Sequence, residues 1–144
     1  MGVIVTMDYI TIASVGNAAD FGDLTTGRRS CGSCSNGSRG IVGGGERPGA
    51  VENSIEYWTI GSTGNASDFG DLSEGKNYTE ACASDGTKGV FAGGGDIPGK
   101  SNKIEYVNMT STGNVTDFGD LTAARQSCGG ASNGTRMVIA GGTE

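Results

Sequence analysis

One phrase, met three times, decides most of what this chain can become. Ser62–Leu72 reads STGNASDFGDL, Ser111–Leu121 reads STGNVTDFGDL and Ser14–Leu24 reads SVGNAADFGDL, at spacings of 48 and 49 residues. A unit of that length cannot bury an apolar face alone, so copies must stack. With DFGDL as anchor, each period also carries a tyrosine on its N-terminal side (Tyr9, Tyr57, Tyr106) and a basic residue on its C-terminal side (Arg28, Lys76, Arg125). Further on come SNGSRGIVGGG, SDGTKGVFAGGG and SNGTRMVIAGG.

The apolar residues arrive in short runs, VIVTMDYITI, IEYWTI, GVFAGG, KIEYVNM and RMVIAGG, bounded by Gly, Asn, Asp or Ser. That is the signature of short strands and tight turns, and 28 glycines in 144 residues leave little room for helix. The expected class is all-β. The glycines follow no period of three, which excludes a triple helix, and apolar runs at fixed places in every copy speak against disorder.

A formal net charge of −6, with Lys and Arg never clustered, excludes a nucleic-acid partner. No stretch approaches the roughly 18 apolar residues of a membrane span, and MGVIVTMDYI has neither a basic n-region nor a cleavage site. Cys31 and Cys128 align, with Glu80 between them, while Cys34 and Cys82 stand where other copies have Ala, Ser or Gly. They read as small buried residues, and with no histidine a zinc site or other cofactor is not expected.

Each period parses into four strands. RRSCGSCS, KNYTEACAS or RQSCGGAS leads through an Asn-Gly or Asp-Gly turn to SRGIVGG, TKGVFAGG or TRMVIAGG, which ends in glycines. After a variable linker, GERPGAVEN or GDIPGKSN, a third strand alternates Ile55, Tyr57 and Thr59 against Glu56, Trp58 and Ile60, with Met7, Tyr9 and Thr11 repeating the first face. Both faces are apolar, which suits a sheet covered on each side. The fourth strand lies around GNASDFGDL, and Phe21, Phe69 and Phe118 are expected to wedge between neighbouring sheets. The domain is single, 1–144: strands three and four of a split unit in 1–27, full periods in 28–75 and 76–124, and strands one and two in 125–144.

The paired acids Asp20 with Asp23, Asp68 with Asp71 and Asp117 with Asp120 are the sharpest polar feature. Their recurrence favours carboxylates that cap turn amides and face Arg28, Lys76 and Arg125, five residues after the second acid, over a calcium site. DFG is also a kinase magnesium motif, but the kinase loops that give it meaning are missing.

The order of a small-residue strand, a strand ending in Gly-Gly, a variable loop and a Tyr-containing strand resembles the kelch repeat. The diglycines are Gly43-Gly44, Gly93-Gly94 and Gly141-Gly142, with Tyr57 and Tyr106 after the first two. The family's fourth-strand tryptophan is replaced, here by the phenylalanine of DFGDL. STGNA-DFGDL with the Gly-Gly strand is similar to kelch-like repeats in virion-associated proteins of tailed phages, especially aquatic ones. The resemblance implies a β-propeller of four-stranded blades and a binding or scaffold role. The copper oxidase chemistry of one kelch branch needs histidines and is not carried over.

The chain offers three blades' worth of strands, with one blade split between its ends, whereas propellers have four to eight. Closure by homo-oligomerisation is therefore expected, six blades in a dimer. The expected function is a non-enzymatic structural, decoration or adhesion component of a phage virion, an extracellular particle made in the bacterial cytoplasm, with other virion proteins as partners. The first alternative is a glycan- or host-surface-binding module with Trp58 and Tyr78 as contacts. Tyr78 has no aromatic counterpart at Ser30 or Gln126, which marks it as the better surface residue. The second alternative is a glycan-processing enzyme using the repeated carboxylates.

Overall fold

The computed structural model describes residues 2–79, 81–95 and 99–144, all strand, turn and loop, with no helix among them and so none long and apolar enough to cross a membrane. In chain order the strands are β1 (Thr6–Tyr9), β2 (Ala19–Asp23), β3 (Gly32–Ser35), β4 (Arg39–Gly43), β5 (Glu46–Arg47), β6 (Ala50–Val51), β7 (Ser54–Thr59) and β8 (Ser67–Asp71). They continue with β9 (Cys82–Ser84), β10 (Lys88–Ala92), β11 (Lys103–Asn108), β12 (Thr116–Asp120), β13 (Gly129–Ser132) and β14 (Met137–Ala140).

These strands make two four-stranded antiparallel sheets, β3-β4-β7-β8 and β9-β10-β11-β12, each in sequence order. At one end of the chain stands the two-stranded pair β1-β2, at the other β13-β14, and β5-β6 is a small hairpin in the first linker. The first-to-second-strand turns form as the Asn-Gly and Asp-Gly phrases require. Asn36 accepts the amides of Ser38 and Arg39, Asp85 those of Thr87 and Lys88, and Asn133 those of Thr135 and Arg136.

The DFG phrase is a β-bulge. In the third-to-fourth-strand ladders Met7 faces Gly22 and Asp8 faces Asp20, Ile55 faces Gly70 and Glu56 faces Asp68, and Ile104 faces Gly119 and Glu105 faces Asp117. Each register skips the phenylalanine, which the extra residue re-aims out of the ladder. Its ring meets the repeat tyrosine edge to face: Tyr9 with Phe21 at 6.0 Å, Tyr57 with Phe69 at 5.8 Å and Tyr106 with Phe118 at 6.0 Å.

The main core joins the two full sheets through Ile41, Ile55, Phe69, Leu72, Cys82, Phe91, Val107 and Met109. A second, around Ala81, Ala92 and Cys128, is flanked by Leu121, Met137 and Ile139 and joins the second full sheet to the C-terminal pair. Strand β9 lies beside both β3 and β13, which lines up the small-residue strands of the copies.

Three details depart from the sequence reading. Phe21 and Phe69 are buried at 8% and 1% exposure, but Phe118 is 59% exposed, because the half sheet beyond it brings no third or fourth strand to cover it. The equivalent of Gly93-Gly94 and Gly141-Gly142 is Gly44-Gly45, with φ of 67° and 97° against 69° and 100° and 72° and 97°, and Gly43 lies inside β4. The position shared by Cys31 and Cys128 beside the diglycine is held by Thr79, and Glu80 lies outside the described residues.

Candidate functional site

The repeated polar residues converge on the seams within and between sheets. Arg28 is buried, and its Nη1 donates to the Gly44 and Ser54 carbonyls at 3.1 and 2.9 Å. Its Nη2 donates to the Ser54 hydroxyl at 2.9 Å and to Glu56 Oε1, while Glu56 Oε2 accepts the Thr25 amide at 2.6 Å. One copy on, Lys76 Nζ donates to Glu105 Oε2 at 2.7 Å, and Glu105 Oε1 accepts the Ser73 amide at 3.3 Å. Both basic residues and both acids are shut away from water, where an unmatched charge is costly.

This corrects the expectation for the Asp pairs. The basic residues turn inward to the glutamate of the third strand and not to Asp20, Asp23, Asp68, Asp71, Asp117 or Asp120. The second acids of the first two pairs are engaged through their main chain instead. Asp23 N donates to Asn65 Oδ1 at 3.1 Å and Asp23 O accepts the Ala66 amide at 2.8 Å, and one period later Asp71 N donates to Asn114 Oδ1 at 3.0 Å and Asp71 O accepts the Val115 amide at 3.0 Å. Asn65 and Asn114, in the second and third GN phrases, thus clasp the DFGD strand of the preceding copy. A Cβ at Gly22 would collide with the Gly64 carbonyl, and one at Gly70 with the Gly113 carbonyl, so the glycine of DFG is what lets two copies approach.

A third seam runs along the small-residue strands. Ser30, Tyr78 and Ser127 share a positive φ of 54–56°, the Tyr78 amide donates to Ser30 O at 2.7 Å, and the Ser127 amide donates to Tyr78 O at 3.3 Å. Ser127, and not Gln126, is therefore the counterpart of Tyr78, a half-buried residue bound on both sides through its backbone. The diglycines reach the same way: Gly45 N donates to Lys76 O at 2.6 Å and Gly94 N to Arg125 O at 3.0 Å.

Trp58 is half-buried, with its indole lying across Gly40, and lines a cleft of about 440 Å³ between β1-β2 and the first full sheet, together with Tyr9, Phe21 and Val42. The variable linker GDIPGKSN contains residues 96–98, which lie outside the described residues. Among the described residues no three His, Cys, Asp or Glu side chains gather as metal ligands. Cys34 and Cys82 face each other between neighbouring sheets. Burial, with the hydrogen bond to Cys34, pushes the Cys82 thiol well above its ordinary range.

The third copy of each seam is unfinished. Arg125 Nε is buried without a hydrogen-bond partner, and Arg125 Nη2 has the Thr122 hydroxyl at 3.3 Å in place of a carboxylate. A Cβ at Gly119 would meet nothing, in contrast to Gly22 and Gly70. Glu56, Glu105, Asn65 and Asn114 were missed by sequence reasoning, although every copy has an acid directly before its Tyr (Asp8, Glu56, Glu105) and an Asn four residues before its DFG Phe. Neither a comparison with models of known protein families nor one with curated proteins finds a match.

Proposed function

We propose that the chain is a non-enzymatic structural or adhesive component of a phage particle, built as a kelch-like propeller whose ring is closed by copies of itself, two chains giving six blades. The observation that carries this reading is where the repeated side chains are spent. Basic residue and glutamate lock the strands of one sheet, Asn clasps the sheet before it, and Tyr and Phe pack edge to face at the seam. A repeat whose recurrent groups are consumed in holding neighbours is a building unit. The resemblance to kelch-like virion proteins supplies the setting.

Two measurements test it. Antibodies against the protein should label intact particles of the phage that encodes it, and negative-stain electron microscopy of the pure protein should show six-lobed discs. Unlabelled particles would remove the virion role, and shapes without lobes would remove the propeller. The glycan-binding alternative has one observation in its favour, the indole of Trp58 at the edge of a cleft. Its test is a glycan array read by the intrinsic fluorescence of that single tryptophan.

A further inference from the structure

The geometry points to a second copy of this chain as the occupant of both open ends, with Asp8 and Thr6 of that copy completing the half-built socket around Arg125. The inference rests on the ring reading above and deepens it by naming the contact. It is carried by the repeat, because the socket of base and acid and the clasp of Asn on the DFGD strand are each made twice inside the chain and left open once.

In the first socket the guanidinium of Arg28 takes the hydroxyl of Ser54 and the carboxylate of Glu56, and that carboxylate takes the Thr25 amide. Position for position, the third socket has Arg125 and the Thr122 amide on one side, and calls for a hydroxyl and an acid two residues apart on a third strand. The chain holds such a strand in β1, with Thr6 where Ser54 stands and Asp8 where Glu56 stands. Asp8 makes no ion pair among the described residues, and Arg125 is half-buried, makes no ion pair among them either, and keeps a buried Nε without a partner. A half-buried cation left without an acid at one end and an exposed acid left without a cation at the other are complementary faces.

Independent contacts fall into the same register. Strand β4 pairs with β7 so that Val42 faces Glu56 and Ile41 faces Tyr57, and the equivalent ladder of β14 with β1 sets Ile139 against Asp8 and Val138 against Tyr9. Arg39 lies over the Tyr57 ring at 4.5 Å, and its equivalent Arg136 would lie over Tyr9. Phe69 is buried in one cluster with Val107 and Met109, whose equivalents Ile10 and Ile12 are 61% and 93% exposed, matching the bare Phe118. Asn17 would clasp Asp120 as Asn65 clasps Asp23, which gives the open face of Gly119 its neighbour. The cleft beside Trp58 is then filled by β14 and not by sugar. Each copy brings one end of each kind, so two copies close a ring with both contacts identical.

Pairing fixes the test. Gly44 N donates to Ser54 O and Ile60 N to Ser38 O, which makes Ile41 and Tyr57 a non-hydrogen-bonded pair, the closer kind across an antiparallel ladder. Protein carrying Val138→Cys mixed with protein carrying Tyr9→Cys should, on mild oxidation, yield a cross-linked species of about twice the 14.5 kDa chain mass, while neither alone nor the parent chain does so. In sedimentation equilibrium, Asp8→Ala and Arg125→Met should each weaken the dimer by about 100-fold or more, and the double variant no further, because they break one contact. Circular dichroism should keep its strand signal in both, since neither residue forms an ion pair within the isolated chain. A folded 14.5 kDa species that persists at every concentration overturns the inference and the ring reading together. A stable dimer that fails to cross-link at these positions, or in which the two effects add, overturns the inference alone.

Discussion

Three turns of the same shape carry Asn36, Asp85 and Asn133, and only the middle one titrates. Hydrogen bonds from the Lys88 and Thr87 amides hold the Asp85 carboxyl below its ordinary value. Its contribution to stability is therefore present above the unfolded-state pKa and is lost as pH falls through the depressed folded value. Asp85→Asn keeps the cap, as its two neighbours do, and is expected to leave the melting temperature near neutrality almost unchanged while flattening its decline below about pH 4. Thermal melts of both proteins from pH 7 to pH 2.5 check this. Phenylalanine offers a matched contrast of burial. Phe69→Ala should cost about 3–4 kcal/mol in urea unfolding, while Phe118→Ala should leave an isolated chain nearly unaffected and weaken association between copies instead.

The strands themselves were legible in the sequence because alternation and turn phrases are local. The hairpins sit on the Asn-Gly and Asp-Gly pairs, and each third strand sits on its IEY-like phrase. The bulge at Phe21, Phe69 and Phe118 was not legible, since a skipped register belongs to a pair of strands and not to either one. The socket was hidden for a related reason. Asp23 lies only five residues before Arg28 and looks like its natural partner, yet the meander returns Glu56, 28 residues later, to the side where the guanidinium points. The bulge also makes a sharp demand. Gly70, at φ +146° and under the Gly113 carbonyl, should tolerate alanine at a cost of roughly 2–3 kcal/mol or more, measured by chemical unfolding. Gly119→Ala carries the backbone strain without the collision in a single chain, and should cost less there than in the associated form.

If both ends find a second copy, association adds to the stability of each folded chain, and the melting temperature should climb with protein concentration, by scanning calorimetry over a hundredfold range. A flat response would leave the chain self-sufficient. The near-identity of the copies raises a different matter, that of address. An edge that fits one copy fits all three in outline, and a nascent or refolding chain can dock one period out of place. The sockets are unequal in a way that answers this. Arg28 meets Ser54 and Glu56, Lys76 meets Glu105 with Lys103 where the hydroxyl would be, and Arg125 is left for the short acid Asp8. A guanidinium reaches a short acid and a hydroxyl together, whereas an ammonium has neither the fork nor the span. A slip that brings β1 to the Lys76 position sets the short acid against the base least able to reach it and leaves a buried charge exposed to the error. Sequence divergence at three otherwise repeated places thus makes the in-register pairing of β1 with the Arg125 end chemically distinct from the pairing one period out.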